Sequence, residues 1–243
     1  MRGPMKLTIL SGGAAQGLVA ALAPDLEACS GATIEGTFGA VGTMREKLGL
    51  GAPADLLILT KAMIGALMAA GDVVQGSATD IGAVATAVAA RQGDPLPLIG
   101  NPELLKEALL AADVIFFPDP MLATAGIHVA GVLARLGIER ETKARLRLHP
   151  NGAAAMRALA QAKDVTRPIG LTQASEILAT PGITLVGPLV APFALSTIYT
   201  AGIATRAEQP ELARQFAALL TAPTAAKVRA AAGFGEVGTS NPA

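Results

Sequence analysis

Residues 37–60, TFGAVGTMREKLGLGAPADLLILT, constrain the fold more than any other stretch of the sequence. A loop of small residues at 39–42 follows a strand predicted over residues 34–38, and Thr43 is suited to cap a helix that runs to Leu50. Gly51 ends that helix, and residues 56–59 are continuously apolar, which is typical of a parallel strand covered on both faces. The stretch therefore predicts a strand, a helix and a second strand in immediate succession.

A second loop of small residues follows the first predicted strand. Residues 7–10 are apolar, and Ser11, Gly12, Gly13 and Ala14 connect them to a helix predicted over residues 14–27. The first turn of a helix carries unpaired N–H groups and a partial positive charge, so small side chains let an anion approach the backbone. The two loops together predict a site for one small anion, although short Gly/Ala loops are also the ordinary connection in any α/β protein.

The rest of the chain alternates between strand-like apolar runs and helical patterns, which predicts α/β architecture with parallel strands. A run of small and β-branched residues at 81–90 predicts a strand that crosses between two lobes. The predicted lobes are residues 1–80 with 190–243, and residues 81–189. Further strands are predicted at 114–117, 167–171, 183–186 and 193–205, and helices at 61–70, 101–112, 125–136, 153–162, 174–178, 209–220 and 223–232.

The composition excludes several classes of function. Lys plus Arg and Asp plus Glu number 19 each, so a formal charge of zero offers no attraction for nucleic acid or an acidic membrane. Cys29 is the only cysteine and is predicted to be a core thiol at a helix end. His128 and His149 are far apart in the sequence, so neither a metal site nor a metal cofactor is predicted. No GxSxG, Walker or dinucleotide-binding motif is present, and no other cofactor is predicted.

The N-terminal residues MRGPMKLTILSGG contain no apolar stretch of signal-peptide length. No other segment without charge or proline is long enough to span a bilayer. The chain as written therefore predicts a cytoplasmic protein. The alternative is a periplasmic protein whose leader has been removed, with residues 1–4 foreign to it.

Four segments resemble the periplasmic molybdate-binding proteins and their relatives among the type 2 solute-binding proteins. They are GAPADLLIL at 51–59, the Ser11 loop, DPMLATAG at 119–126 and AAKVRAAAGFGEV at 225–237, and the resemblance covers nearly the whole chain. It implies a two-lobed fold of the type 2 periplasmic-binding-protein kind, with a small anion held in a cleft between the lobes. It also implies a monomer that delivers the anion to an ABC transporter permease.

The resemblance and the loop chemistry together predict a set of ligand-binding residues: Ser11, Gly12, Gly13, Ala14, Gly42, Thr43, Arg45, Ala125, Gly126, Gly152 and Gln173. Ala125 and Gly152 correspond to backbone N–H contacts of the family. Ala14 and Gln173 stand where the family has a serine and a tyrosine, and Ala40-Val41-Gly42 replaces a run of serines.

These replacements favour an organic carboxylate over molybdate. A buried tetrahedral oxyanion without a counter-charge needs many convergent donors, and hydroxyl and phenol donors are missing. Gln173, Thr43, Ser11 and Arg45 are suited to a carboxylate. Arg45 is the sharpest candidate, since a guanidinium near a helix N-terminus can bind a carboxylate with two hydrogen bonds. The alternative for Arg45 is a solvated helix face.

A second resemblance is to the aconitate isomerases of the same fold, through IGLTQASEI at 169–177. These enzymes shift a double bond in a small tricarboxylate, which requires a base within reach of the substrate carbon. His128, Glu176 and Asp119 are the candidates for this base. Each has a structural alternative: His128 as a hydrogen-bond donor, Glu176 as a helix cap and Asp119 as part of an Asp-Pro turn. The sequence therefore predicts a binding protein first and an isomerase second.

Overall fold

A computed structural model describes residues 5–238, which divide into two compact units. Within these residues, unit 1 comprises 5–84 with 197–238, and unit 2 comprises 85–196. The chain passes between the units at residues 84–85 and 196–197, a few residues later than the predicted lobe boundaries.

The two units contain both strands and helices. The strands described in residues 5–238 are β1 Lys6–Gly12, β2 Thr33–Gly39, β3 Leu56–Thr60, β4 Thr79–Arg91, β5 Val114–Pro118, β6 Leu146–His149, β7 Pro168–Gln173, β8 Ile183–Pro188 and β9 Ser196–Ile203. The helices are α1 Gln16–Ser30, α2 Val41–Gly49, α3 Lys61–Ala70, α4 Pro102–Ala111, α5 Thr124–Arg135, α6 Glu139–Thr142, α7 Gly152–Gln161, α8 Ala174–Leu178, α9 Pro210–Thr221 and α10 Ala226–Ala231. No helix in this part of the chain is long and apolar enough to cross a membrane.

The sheet of unit 1 is mixed. Strand β1 lies between β2 and β3 and runs parallel to both, whereas β9 runs antiparallel to β3. The register pairs Gly12 with Gly39 and Thr60 with Tyr199. The carboxyl ends of β1, β2 and β3 therefore lie at one edge of the sheet, where loops to the following helices begin.

Strand β3 and helix α3 form as their sequence predicts. The side chains of Leu56 and Leu59 are 0% exposed, as expected for a strand covered on both faces. The Thr60 hydroxyl accepts a hydrogen bond from the Met63 N–H at 3.3 Å and so caps α3. Gly71 ends the helix at φ 84°, a left-handed conformation that glycine adopts without strain.

Asp55 gives the GAPADL segment a structural role. Its side chain is 3% exposed, and its two oxygens accept hydrogen bonds from the N–H groups of Thr8 and Gln209, each at 2.8 Å. The carboxylate thereby joins the start of β3 to β1 and to the start of α9. A polar cavity of about 600 Å³ borders Asp55 at the amino ends of these strands, away from the predicted anion loops.

The sheet of unit 2 is also mixed. Strand β5 lies between β6 and β7 and is parallel to both, and β4 is antiparallel to β7 and β8. Apolar residues of α4, α5 and these strands form one core that includes Leu105, Phe117, Val129 and Leu171. Burying each such side chain contributes roughly 1.5–3 kcal/mol, so this core fixes α5 against the strands that carry the predicted site.

Three features differ from the sequence predictions. The strand predicted to start at residue 193 begins at Ser196, because the Phe193 N–H donates to the Val190 carbonyl at 2.7 Å and closes a turn. Strand β6 was not predicted. The prediction of a core thiol at Cys29 is wrong: the residue lies at the end of α1 but is exposed, and its thiol donates to the Leu26 carbonyl at 3.4 Å.

Candidate functional site

The two small-residue loops of unit 1 lie side by side. Gly12 and Gly39 are register partners at the ends of β1 and β2. A Cβ on Gly12 would lie 3.0 Å from Val41 Cγ1 and 3.1 Å from Tyr199 Cε1, closer than ordinary packing allows. A larger residue at position 12 would therefore require Val41 or Tyr199 to shift by a few tenths of an ångström. Tyr199 was not predicted to be here, because it is remote in sequence.

Helix α2 begins beside this loop without a side-chain cap. The helix starts at Val41 with Ala40 as N-cap, and no side-chain hydrogen bond caps it within the described chain. The prediction that Thr43 caps the helix is wrong: Thr43 lies in the first turn, where it is half-buried. The first-turn N–H groups of α2 are thus left for water or for a bound anion.

The other predicted side chains of unit 1 differ in accessibility. Ser11 is 0% exposed and its hydroxyl donates to the Gly12 carbonyl at 2.9 Å. Ala14 is 2% exposed. Gly13 and Gly42 are half-buried, and Arg45 lies on an exposed part of α2. A ligand at this loop therefore meets backbone and the Thr43 hydroxyl more readily than the Ser11 hydroxyl.

A polar cluster at the carboxyl end of β3 was missed by sequence reasoning. Asp80 accepts hydrogen bonds from Lys61 Nζ at 2.6 Å and from the Thr200 hydroxyl at 2.7 Å. Burial raises the pKa of Asp80, but these hydrogen bonds and the charge of Lys61 outweigh burial and hold the pKa below its ordinary value. The cluster joins α3, β4 and β9, and no local spacing in the sequence could reveal it.

In unit 2, the Ala-Gly motif places the start of α5 on the end of β5. Helix α5 has Ala123 as N-cap, and no side-chain cap is seen among residues 5–238. Ala125 is 3% exposed. A Cβ on Gly126 would overlap the Pro118 carbonyl and the backbone of Asp119, so only glycine permits this approach. The motif leaves the first-turn N–H groups of α5 at the carboxyl end of β5.

The start of α7 is occupied by a carboxylate of the chain itself. Glu176 is 7% exposed and accepts the Thr172 hydroxyl at 2.6 Å, together with the N–H groups of Ala153 and Gln173. Burial raises the pKa of Glu176, and these hydrogen bonds offset only part of the rise. A Cβ on Gly152 would overlap both the carboxylate and the Thr172 hydroxyl. Glycine at 152 is thus explained by Glu176.

Two further residues shape the loop before α7. The Asn151 side chain caps the helix by accepting from the Ala154 N–H at 2.8 Å. The His149 ring stacks on Phe116 with 5.9 Å between centroids, and its carbonyl accepts from the Asp119 N–H at 2.7 Å. Burial lowers the pKa of His149, which favours the neutral ring.

The candidate bases occupy different environments. His128 Nε2 donates to the Phe193 carbonyl at 2.7 Å, because a carbonyl can only accept. Asp119 accepts from the Met121 N–H at 2.8 Å within its own turn. These are the structural roles considered for both residues. Burial raises the pKa of Glu176. Within the described ranges, no group of three or more His, Cys, Asp or Glu side chains could hold a metal ion.

The sequence of this chain matches one known protein family and is similar to a known enzyme. Residues 7–235 match the family described as bacterial extracellular solute-binding protein. An aconitate isomerase from Pseudomonas sp is 29% identical over 232 residues, which cover 91% of this chain and 84% of that protein.

Two solved structures show the same fold. The periplasmic molybdate-binding protein of Azotobacter vinelandii superposes with a TM-score of 0.77 at 19% identity, over 94% of this chain and 98% of that one. The sulfate-binding protein SubI of Mycobacterium tuberculosis H37Rv gives 0.74 at 19% identity, over 97% and 88%. At this identity the likeness concerns the fold. The α/β fold of periplasmic-binding-protein type predicted from the sequence is therefore confirmed, as is the resemblance to the molybdate-binding proteins.

Proposed function

The chain belongs to the family of bacterial extracellular solute-binding proteins, and from this premise we propose that it binds a small organic carboxylate and delivers it to an ABC transporter permease. The observation that supports a carboxylate is the start of α5, which has Ala123 as N-cap and no side-chain cap among the described residues. Gln173, which is a predicted ligand residue, lies at the end of β7. Backbone N–H groups and an amide remain, whereas the hydroxyls and the phenol expected for an oxyanion are replaced.

The charge distribution of unit 2 also favours a carboxylate over a tetrahedral dianion. A helix N-terminus offers about half a positive charge, and Glu176 already occupies that of α7. A dianion bound through Gly152 would meet the Glu176 carboxylate at close range, because the two residues are in contact. One planar carboxylate group of a ligand brings a single negative charge to this position, which lessens the repulsion and needs fewer donors.

Each unit has its own candidate donors. In unit 1 they are the first-turn N–H groups of α2 and the hydroxyl of Thr43. In unit 2 they are the N–H of Ala125 and the side-chain amide of Gln173. Gln173 is 2% exposed, so its amide would hydrogen-bond a carboxylate largely shielded from water.

Calorimetry with two series of anions tests the proposal. Succinate, malate, citrate and tricarballylate form one series, and molybdate, tungstate and sulfate the other. We expect saturable binding of at least one carboxylate and none of the oxyanions. The isosteric substitution Gln173→Glu should weaken carboxylate binding at least about tenfold, since it replaces a donor by a like charge. Tight binding of molybdate without any response to carboxylates would overturn the proposal.

A second candidate function is the isomerisation of a small unsaturated tricarboxylate. The observation that favours it is the 29% identity to an aconitate isomerase over 91% of this chain. Glu176 is the favoured base because its pKa is raised towards the range of a general base. Incubation with cis- or trans-aconitate in deuterated water, followed by proton NMR, tests this function. Exchange that is lost in Glu176→Gln supports an isomerase, and saturable binding without exchange rejects it.

We propose the periplasm as the compartment, because the family is described as extracellular. Fractionation of source cells, followed by N-terminal sequencing of the recovered protein, tests this directly. Recovery from the periplasmic fraction supports the proposal. Recovery only from the cytoplasm would contradict it and would support the cytoplasmic location predicted from the sequence.

A further inference from the structure

Two buried hydroxyl groups of unit 2 have no hydrogen-bond partner among residues 5–238. They belong to Thr86, which is 0% exposed, and Ser175, which is 3% exposed. Other buried threonines of unit 2 are satisfied: the Thr142 hydroxyl donates to the Ile138 carbonyl and the Thr180 hydroxyl to the Glu176 carbonyl, both at 2.7 Å. A buried hydroxyl that loses its bonds to water and gains none is unfavourable, so the exceptions require an explanation.

Both hydroxyls lie next to Gln173 in the fold. Thr86 on β4 is the register partner of Gln173 on β7, and directly opposite residues of antiparallel strands carry their side chains on the same face. Ser175 follows Gln173 by two residues, in the first turn of α8. The side chains of Thr86 and Gln173 are therefore neighbours at the end of β7, and Ser175 lies in the helix that follows directly.

Thr86 and Gln173 lie on the face of the sheet that α5 covers. Successive side chains of a strand point to opposite faces, and Thr172 points towards Glu176 and the start of α7. Gln173 must then point to the other face, as does Leu171, which shares a core with Val129 of α5. The Thr86 hydroxyl is thus on the same side of the sheet as α5, the helix that begins without a side-chain cap in the described part of the chain.

We propose that Thr86 and Ser175 contact the ligand and, with Gln173, determine which carboxylate unit 2 accepts. The inference rests on the proposed function and extends it to two residues outside the predicted ligand set. A hydroxyl donates to a carboxylate oxygen, and it also accepts from a hydroxyl on the ligand. The two hydroxyls favour a ligand whose carboxylate or hydroxyl reaches them, because a ligand lacking such a group leaves these two hydroxyls unpaired.

Thr86→Val and Ser175→Ala test the proposal, since each removes one hydroxyl and keeps most of the side-chain volume. The probe is whichever of succinate, malate, citrate or tricarballylate the unsubstituted protein binds most tightly. We expect each variant to bind this probe about tenfold more weakly, or worse, by calorimetry. The melting temperature of the ligand-free protein should be unchanged or higher, because an unsatisfied hydroxyl has been removed from the interior.

Thr142→Val is the matched control, as Thr142 is also 0% exposed but its hydroxyl is satisfied. This substitution should lower the melting temperature of the ligand-free protein and leave probe affinity unchanged. If Thr86→Val and Ser175→Ala behave like the control, the hydroxyls are held by internal water or by the protein, and the proposal is overturned. If the unsubstituted protein binds no probe, the proposed function itself fails.

Discussion

Gly152 has no room for a side chain in unit 2. A methyl group there would overlap the Glu176 carboxylate and the Thr172 hydroxyl, which are buried and bonded to each other. Gly152→Ala should therefore lower the free energy of unfolding by about 1–3 kcal/mol. Urea denaturation measures this effect.

Gly131→Ala in α5 is the control for that substitution, because a Cβ on Gly131 meets no atom within 4 Å. Alanine in an exposed helix interior stabilises by about 0.5–1 kcal/mol relative to glycine. Equal stability changes at positions 131 and 152 would show that Glu176 moves aside at no cost.

Glu176 should make stability depend on pH. Its folded-state pKa lies above the ordinary value of 4.5, so its protonated form favours the folded state. This contribution is complete below the unfolded pKa and is lost as pH rises through the folded pKa. Glu176→Gln keeps an uncharged side chain at every pH. As pH rises above about 4.5, the variant should therefore lose less unfolding free energy than the unsubstituted protein in urea titrations.

Glu35→Gln serves as the control for the pH measurement, because Glu35 forms an exposed pair with Lys6 in which the two side chains are 66% and 61% exposed. Such pairs contribute little to stability. A pH profile of Glu176→Gln that coincides with that of Glu35→Gln would remove Glu176 as the source of the dependence.

Among the helices, α5 offers a test of the open N-terminus. Ala123 has the extended backbone conformation of an N-cap but no side-chain oxygen. Ala123→Ser should stabilise the ligand-free protein by about 0.5–1 kcal/mol and weaken carboxylate binding, since the new hydroxyl would compete for the same N–H groups. Thermal unfolding and calorimetry provide the readouts.

Asn101→Ala in α4 is the companion variant, because the Asn101 side chain caps that helix through the Leu104 N–H at 2.8 Å. Its loss should destabilise by about 1 kcal/mol without changing affinity. If Ala123→Ser stabilises the protein but binds ligand as tightly as before, α5 is not a ligand donor.

The Asp80 cluster connects three elements of unit 1 and should fail in acid. The folded-state pKa of Asp80 lies below the ordinary value of 3.8. The contribution of Asp80 to stability is therefore present above pH 3.8 and is lost as the pH falls through the folded-state pKa. Asp80→Asn should cost about 0.5–1 kcal/mol near neutral pH, a modest effect because Lys61 is largely exposed. Urea titration measures it, and a loss no larger than that of Glu35→Gln would contradict this role.

Strands and helices with strong local signals were predictable from the sequence. Helix α3 matches its predicted bounds, because Thr60 and Gly71 mark its two ends. Strand β6 was missed since its partner in the described sheet is β5 alone, and its LRLH sequence is half-exposed rather than continuously apolar. The antiparallel direction of β9 was not predictable either, because a single strand pattern contains no information on the direction of its partner.

For the chain as a whole, the alternation of elements predicted the α/β fold, which is confirmed. The site residues stay predictions, and in unit 2 sequence motifs suggested only some of them, such as Ala125 and Gly152. The contacts of Glu176 with Gly152, and of Thr86 with Gln173, join residues distant in sequence, so they emerge only when the strands pair. The buried hydroxyl of Thr86 therefore gave no signal in the sequence.

The monomer remains a prediction. Light scattering coupled to size exclusion should give a mass close to 24.4 kDa, both without ligand and with saturating carboxylate. A stable mass of twice that value would contradict it.

The contact between Tyr199 and Gly12 gives the protein an intrinsic optical reporter. Tyr199 is the only tyrosine in the chain and there is no tryptophan, so ultraviolet-excited emission is dominated by one ring. That ring is 3% exposed and lies against the first anion loop of unit 1. A ligand that shifts this loop would alter the intensity or lifetime of tyrosine fluorescence, and binding kinetics at unit 1 become measurable by stopped flow without any label.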